Sequence, residues 1–201
     1  MREGLLTKKE AVMLVEVQTL DHLLHKRLDP KSLEKAEFLA KGLPASPGGT
    51  VGRIVFEADD AVELAEKGED VILARLETSP EDIIGMNASK GILTVRGGMT
   101  SHAAVVARGM GKTCVAGCSD IVIDYETQTL KVKGHTFHKG DFLSLDGTFG
   151  DVYKGKIDLL EPKLTKDFFR ILKWAKKFKR MIVKTNAEEP KEIKTALEFL
   201  A

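Results

Sequence analysis

The chain has 201 residues, 43% of them hydrophobic, with 31 basic and 30 acidic side chains and a formal net charge of +1. That length and apolar content suit one packed domain with appendages and exclude wholesale disorder, while the balanced charge gives no overall attraction to nucleic acid or to a membrane surface. No apolar run approaches the roughly 20 residues of a membrane-spanning helix, and Met1–Glu10 lacks the apolar core of a signal peptide, an absence without weight if the chain is a piece of a longer one.

Residues 7–40 read as helical. Thr7 and Glu10 match a capping box, in which the hydroxyl accepts from the third helical N–H and the carboxylate reaches back to the cap's own N–H. Ala11, Leu14 and Val15 follow at helical spacing. Asp29-Pro30 opens a second short helix, with Leu33, Ala36, Phe38 and Leu39 as its apolar residues. The stretch is rich in charge and thin in core, so residues 1–40 are expected to form a helical linker arm.

The character changes at Lys41, after which Gly42, Pro44, Pro47, Gly48, Gly49 and Gly52 signal turns. Strands are predicted at Val51–Phe56, Val71–Leu76 and Gly91–Val95. Helices are predicted at Asp59–Lys67, with Ala61, Leu64 and Ala65 on one face, at Pro80–Ala88 and at Ser101–Met110. Glu77–Pro80 reads as a turn and Arg96–Thr100 as a loop. Alternation of Ile121, Ile123 and Tyr125, then of Leu130 and Val132, predicts short strands, and Asp146-Gly147 another turn. The expected fold class is α/β, a compact mixed domain over residues 41–160.

From Lys166 to Arg180, Phe168, Leu172, Trp174, Ala175 and Phe178 lie among basic residues in an amphipathic helix. A strand at Met181–Thr185 and a helix at Pro190–Leu200 are predicted after it. One strand–helix unit cannot bury both faces of a sheet, so residues 161–201 are expected to hold a linker helix and the truncated start of a further domain.

The segment that carries chemistry runs strand, glycine pair, helix: Thr94-Val-Arg-Gly-Gly-Met-Thr-Ser-His-Ala-Ala-Val-Val-Ala-Arg-Gly-Met110. Gly97 and Gly98 can take backbone angles closed to other residues and leave room for a ligand at the main chain. Thr100 or Ser101 is a natural N-cap, and the small residues Ala103, Ala104, Val106 and Ala107 let the helix pack closely. His102 then falls in the first helical turn. There the free N–H groups favour an anion and the dipole disfavours protonated imidazole. A neutral imidazole has a lone pair and is a competent nucleophile. A phosphoryl group on it would be held by the helix-start amides and by the hydroxyls of Thr100 and Ser101, with Arg96 adding a charge-assisted contact. Residue types alone leave open the plainer reading, in which His102 is only a cap or surface residue.

Gly97-Gly-Met-Thr-Ser-His-Ala-Ala-Val-Val-Ala-Arg-Gly-Met-Gly111 closely resembles the signature of the PEP-utilising enzymes, which share a mobile, swivelling phosphohistidine domain. Met99, the Thr-Ser-His order and Cys114-Val-Ala-Gly-Cys118 resemble the pyruvate phosphate dikinase branch of that family more than the PEP synthases, the runner-up, or the first enzyme of the sugar phosphotransferase system. Lys41–Gly48, Glu77–Asp82, Gly134–Phe137, Ser144–Gly147, Leu5–Ala11 and Asp21–His25 are similar to the same branch, and Trp174-Ala175 with Val183–Ala187 resembles the start of its PEP/pyruvate-binding barrel.

The resemblance implies a swivelling β/β/α phosphohistidine domain with helical linker arms. It implies that His102 is transiently pyrophosphorylated and then phosphorylated through Nε2, shuttling between an ATP/phosphate site and a pyruvate/PEP site in other domains of the same chain. Arg96, Gly97, Gly98, Thr100 and Ser101 are the implied phosphate-binding residues. Mg²⁺ is implied in the full-length enzyme, bound by the other domains, and the full-length protein is implied to be a homodimer. Residues 7–40 and 158–180 are the implied tethers. In plant relatives the residue matching Thr100 is a regulatory phosphorylation site, which gives Thr100 a second implied role.

Other candidates are weaker. His22 with His25, and His135 with His138, lack a companion ligand set, so no metal site is expected. The basic helix from Lys166 carries an apolar stripe, which favours a solvated interdomain face over nucleic acid. Asp146 and Asp151 read as turn and strand-edge residues. A serine hydrolase at Ser101 lacks the Gly-x-Ser-x-Gly elbow, and a non-catalytic phosphate-binding module is a further alternative. Cys114 and Cys118 form neither a disulfide framework nor a zinc pattern and are expected to be buried thiols in a reducing setting, the cytoplasm or an organelle.

Overall fold

Val71, Ile72, Leu73 and Ala74 are all fully buried, the mark of a strand covered on both faces. They sit near the centre of the larger of two units, His25–Pro162, into which the chain divides beside a second formed from Met1–Leu24 and Lys163–Ala201. The structure is a computed structural model and describes residues 5–16, 20, 23–162, 164–184, 193–194 and 197.

In chain order the elements are α1 (Lys8–Met13), β1 (Arg27–Leu28), α2 (Pro30–Leu33), β2 (Phe38–Lys41), β3 (Leu43–Ser46), β4 (Gly49–Val55), α3 (Ala58–Glu66) and β5 (Val71–Arg75). A 3₁₀ turn (Pro80–Asp82) leads into α4 (Ile83–Ala88), followed by β6 (Gly91–Thr94), α5 (His102–Gly109) and β7 (Thr113–Ala116). The remainder are β8 (Val122–Asp124), β9 (Thr129–Val132), β10 (His135–His138), β11 (Phe142–Asp146), β12 (Asp151–Lys154), β13 (Leu159–Leu160) and α6 (Lys166–Phe178).

The larger unit is built on an eight-stranded sheet in the order β2-β12-β11-β4-β5-β6-β7-β3. β4 to β7 are mutually parallel, linked through α3, α4 and α5, and the other neighbours are antiparallel. One apolar cluster joins Ile54, Ile72, Leu93 and Leu143 of this sheet to Ile123, Leu130, Val132 and Phe137 of a three-stranded sheet ordered β10-β9-β8. A second joins Val55, Val71, Leu73 and Ile92 to Ala61, Met86, Ala103, Ala104 and Ala107 of the helices. The layers are therefore small sheet, large sheet, helices, and the mixed α/β class expected from sequence is what the chain adopts.

Successive strands β2 and β3 lie at opposite ends of the strand order. Gly42 joins them. Its N–H donates to Gly150 O at 2.8 Å, and a Cβ there would come 2.7 Å from Ala116 O and 2.5 Å from Cys118 Sγ. Only a residue without a side chain fits that junction. The incoming and outgoing strands β1 and β13 pair antiparallel, Arg27 opposite Leu160 and Leu28 opposite Leu159. Lys26–Glu161 (2.6 Å) and Ser32 Oγ donating to Asp158 Oδ2 (2.8 Å) reinforce that ribbon.

Two local expectations are corrected. The run read as helical over 7–40 is helical at α1 and α2, but Phe38 and Leu39 belong to β2, where Leu39 is fully buried. Phe-Leu-Ala-Lys has adequate helix propensity, yet pairing with β12 and burial in the core outweigh it. Residues 181–184 form no strand. Among the described residues nothing pairs with them, and an unpaired strand leaves its backbone groups to water. Thr185 and most of the predicted helix at 190–200 lie outside the described residues.

In the smaller unit α1 and α6 pack on one another. The capping box forms as expected: Glu10 N donates to Thr7 Oγ1 at 3.3 Å and Thr7 N to Glu10 Oε2 at 2.8 Å. These bonds to Thr7 hold the Glu10 carboxyl below the usual carboxylate range. Thr165 caps α6, its hydroxyl accepting from Phe168 N.

Candidate functional site

The pairing of β5 with β6 runs on past both strands, as Val95 N donates to Arg75 O and Arg96 N to Leu76 O. The chain then turns at Gly97, whose φ of +112° is a conformation L side chains rarely adopt. Ser101 N donates to Gly98 O and closes the turn. Ser101 is the N-cap of α5, its hydroxyl 3.4 Å from Ala104 N, which settles the choice left between Thr100 and Ser101. From the far end of α5, Arg108 donates through Nε to Ala45 O at 2.8 Å and through Nη2 to Met99 O, tying the loop to β3. Ala103, Ala104 and Ala107 are buried, so the helix lies close on the sheet.

His102 is the first residue of α5 and is half-buried. Its Nδ1 lies 3.0 Å from Thr78 Oγ1. Among the described residues nothing hydrogen-bonds Nε2. The helix-start N–H groups beside the ring have no acceptor within their own helix. Arg96, Gly97, Gly98, Met99 and Thr100 are all exposed, and the Arg96 guanidinium makes no ion pair among the described residues. A Cβ on Gly98 would meet no atom within 4 Å, so the space beside the loop is open. Arg96, Gly97, Gly98, Thr100, Ser101 and His102 thus share one loop and helix start. Beneath Gly97 lies the hydroxyl of Thr94, fully buried and without a hydrogen-bond partner among the described residues.

Sequence reasoning places Thr78 in a turn and gives it no part in the site. No periodicity marks it, because its contact with His102 spans 24 residues and depends on two parallel strands being neighbours. The other candidates lie elsewhere. His135 Nε2 is 2.7 Å from Glu37 Oε1, and Lys154 is 3.0 Å from Oε2 of the same carboxylate. Those contacts, Lys154 first, hold Glu37 below the usual carboxylate range. Asp146 accepts from Thr148 N and Phe149 N in a turn, with burial pushing its carboxyl up, and Asp151 pairs with Lys41 at 2.7 Å. Among the described residues no group of three or more His, Cys, Asp or Glu side chains is placed to hold a metal ion. No helix among them is long and apolar enough to cross a membrane.

Residues 67–150 match the family model described as PEP-utilising enzyme, mobile domain. The chain is 53% identical over 197 residues to pyruvate, phosphate dikinase of Clostridium symbiosum, covering 98% of this chain and 22% of that protein. To pyruvate, phosphate dikinase of Giardia intestinalis it is 48% identical over 198 residues, 98% of this chain and 22% of the relative. To the chloroplastic enzyme of that name from Flaveria pringlei it is 47% identical over 194 residues, 96% of this chain and 20% of the relative. The chain thus spans about a fifth of the length of these curated relatives. The segment that matches the mobile-domain model of the PEP-utilising enzymes holds His102, its loop and Thr78.

Proposed function

We propose that this chain is the phosphoryl-carrier part of a pyruvate, phosphate dikinase and that His102 Nε2 is the atom that carries the group. The observation that supports this most directly is the division of labour on one ring: Nδ1 is engaged by Thr78, and Nε2 has no partner among the described residues. In the tautomer with the proton on Nδ1, that proton is donated to Thr78 Oγ1 and Nε2 keeps its lone pair. The lone pair attacks phosphorus, a P–O bond to the departing group breaks, and the N–P bond forms. The acceptor later reverses this at the second site, so the adenine-nucleotide and pyruvate half-reactions stay apart. The reaction proposed for the whole protein interconverts ATP, phosphate and pyruvate with AMP, pyrophosphate and PEP. A PEP synthase is not favoured, since the relatives from all three organisms carry the dikinase name.

On this reading Arg96, Ser101, Thr100 and the glycine pair cradle the phosphoryl group. The ATP-binding domain and the PEP/pyruvate barrel lie elsewhere in the longer chain, which is a homodimer, in the cytoplasm or an organelle with a reducing interior. Mg²⁺ supplies charge neutralisation to phosphoryl transfer in such enzymes. On this reading the ion is bound by those other domains. The carrier swivels as a rigid body. Because β1 and β13 are clamped side by side, the proposed pivots lie outside residues 25–162, in the arms on either side. Thr100 is exposed two residues before His102, where an added phosphate would repel an incoming one.

The test is mass spectrometry of the full-length parent after incubation with PEP and Mg²⁺. Base-stable, acid-labile phosphate on His102, lost in His102→Asn, is expected. Phosphate on another residue of a folded, active enzyme would refute the assignment.

A further inference from the structure

The arch that brings Thr78 to His102 has a buried carboxylate at its far foot. Asp82 is 4% exposed. Its Oδ2 accepts from Ser79 N at 2.8 Å and from Ser79 Oγ at 3.2 Å. Its Oδ1 faces Arg75 Nε at 3.4 Å, an ion pair outside hydrogen-bond geometry. Arg75 in turn donates to Phe56 O (2.6 Å) and Glu57 Oε2 (2.9 Å), and its guanidinium lies 5.2 Å from the centre of the Tyr125 ring. The Tyr125 hydroxyl accepts from Leu76 N at 2.9 Å, and Leu76 O accepts from Arg96 N at 2.8 Å. Thr78 therefore stands between two anchored points, Leu76 on one side and Ser79 on the other.

From this arrangement we infer that Asp82 is a positioning residue for His102, acting through Thr78 and held in place by Arg75. A cap alone does not call for this construction. A neutral Asn or Gln at this third position of the turn could accept from Ser79 N at lower desolvation cost than a buried carboxylate. The charge is retained beside Arg75, which is pinned to the end of β4 and to Glu57. The result is that the Thr78 hydroxyl is fixed relative to β5 and β6, the strands that set the His102 loop. The Thr78 hydroxyl can accept from Nδ1–H or donate to a bare Nδ1; held so that it accepts, it keeps the imidazole proton on Nδ1, whereas a free imidazole prefers it on Nε2. Asp82 would thus select the tautomer whose Nε2 is bare. Its consequence for catalysis rests on the carrier reading above, but the tautomer itself does not.

The experiment is ¹⁵N imidazole NMR on the 201-residue chain, with melting temperature followed in parallel. In the unsubstituted chain His102 is expected in one predominant form, with the proton on Nδ1. Thr78→Val and Asp82→Ala are each expected to shift it toward the proton on Nε2, and the double variant to shift it no further than Thr78→Val alone. Asp82→Asn can still accept from Ser79 N and is expected to recover part of the Nδ1–H form. Should Asp82→Ala not fold, Asp82→Asn and Ser79→Ala carry the comparison. In the full-length enzyme, phosphoryl uptake by Asp82→Asn is expected to fall roughly fivefold, the size of one weakened hydrogen bond. A lowered melting temperature with the tautomer of His102 unchanged in every folded variant would overturn the inference and leave Asp82 a structural cap. Absence of phosphate from His102 in the parent would instead sink the carrier reading, whatever the NMR shows.

Discussion

Thr78, from the arch after β5, sets its hydroxyl 3.0 Å from Nδ1 of His102, the first residue of α5. A hydrogen bond of this kind is worth about 0.5–1.5 kcal/mol, enough to bias both tautomer and ring orientation. On the carrier proposal, Thr78→Val should slow phosphoryl uptake at His102 by roughly tenfold, while Thr78→Ser, which keeps the oxygen, stays within about threefold. Single-turnover labelling of the full-length enzyme measures both. Equal rates for Thr78→Val and the unsubstituted protein would remove Thr78 from the mechanism.

The two loop glycines should behave differently. At Gly97 the φ of +112° and a would-be Cβ 3.0 Å from both Ser101 Cβ and Oγ make Gly97→Ala strained as well as crowded. A loss of about 1–3 kcal/mol in urea unfolding is expected, together with a disturbed Ser101 cap. Gly98 has open space around it, so Gly98→Ala should unfold within about 0.5 kcal/mol of the unsubstituted chain. Its methyl nevertheless projects where a phosphate would approach the main chain, and phosphoryl uptake should fall without a stability cost. If both substitutions destabilise equally, the strain argument at Gly97 fails.

How much of this could be read from residues alone depended on how local the cause was. The strand–glycine–helix order around His102, the buried run Val71–Ala74 and the Thr7–Glu10 box are set by neighbours in sequence, and all were legible. The strand Phe38–Lys41 was not, because its extended state is imposed by β12, more than 100 residues later. The ribbon of Arg27–Leu28 with Leu159–Leu160 and the reach of Thr78 to His102 are likewise products of topology. Gly42 stood out only as part of a glycine-rich run. That it is the point where β2 passes into β3 across the strand order needed the sheet itself.

Arg96 is exposed, and its guanidinium is uncommitted among the described residues. Arg96→Gln should therefore leave unfolding unchanged to within about 0.5 kcal/mol. If Arg96 binds the phosphoryl group, the lost charge-assisted contact is worth about 1.5–3 kcal/mol, roughly 10- to 100-fold in the rate or extent of His102 phosphorylation. The deficit should shrink at high salt, where an exposed charge contributes less to the unsubstituted protein. A variant that loads His102 at the normal rate would assign Arg96 to the surface only.

Burial pushes the thiols of both Cys114 and Cys118 up to about 12, the larger cause in each being desolvation of the thiolate. An unfolded chain ionises them near the ordinary thiol value of about 8.5. A group raised on folding contributes stability that is fully present below its unfolded value and lost as pH rises toward the folded one. The free energy of unfolding should therefore decline between about pH 9 and pH 12. Tyr153, also raised by burial, ionises with the same sign, whereas Lys112, lowered by burial, has the opposite one. The thiol part is isolated by comparison with the double variant Cys114→Ala/Cys118→Ala, whose unfolding free energy should fall less steeply over that range even though its cavities make it less stable at pH 7. In the native chain at pH 8 a thiol-specific chromogenic reagent should react only at the rate of unfolding, and in denaturant it should titrate both cysteines. Rapid labelling of the folded protein, or parallel pH slopes for the two chains, would show that the thiols are not sealed in the core, Cys114 between sheet and helices and Cys118 between the two sheets.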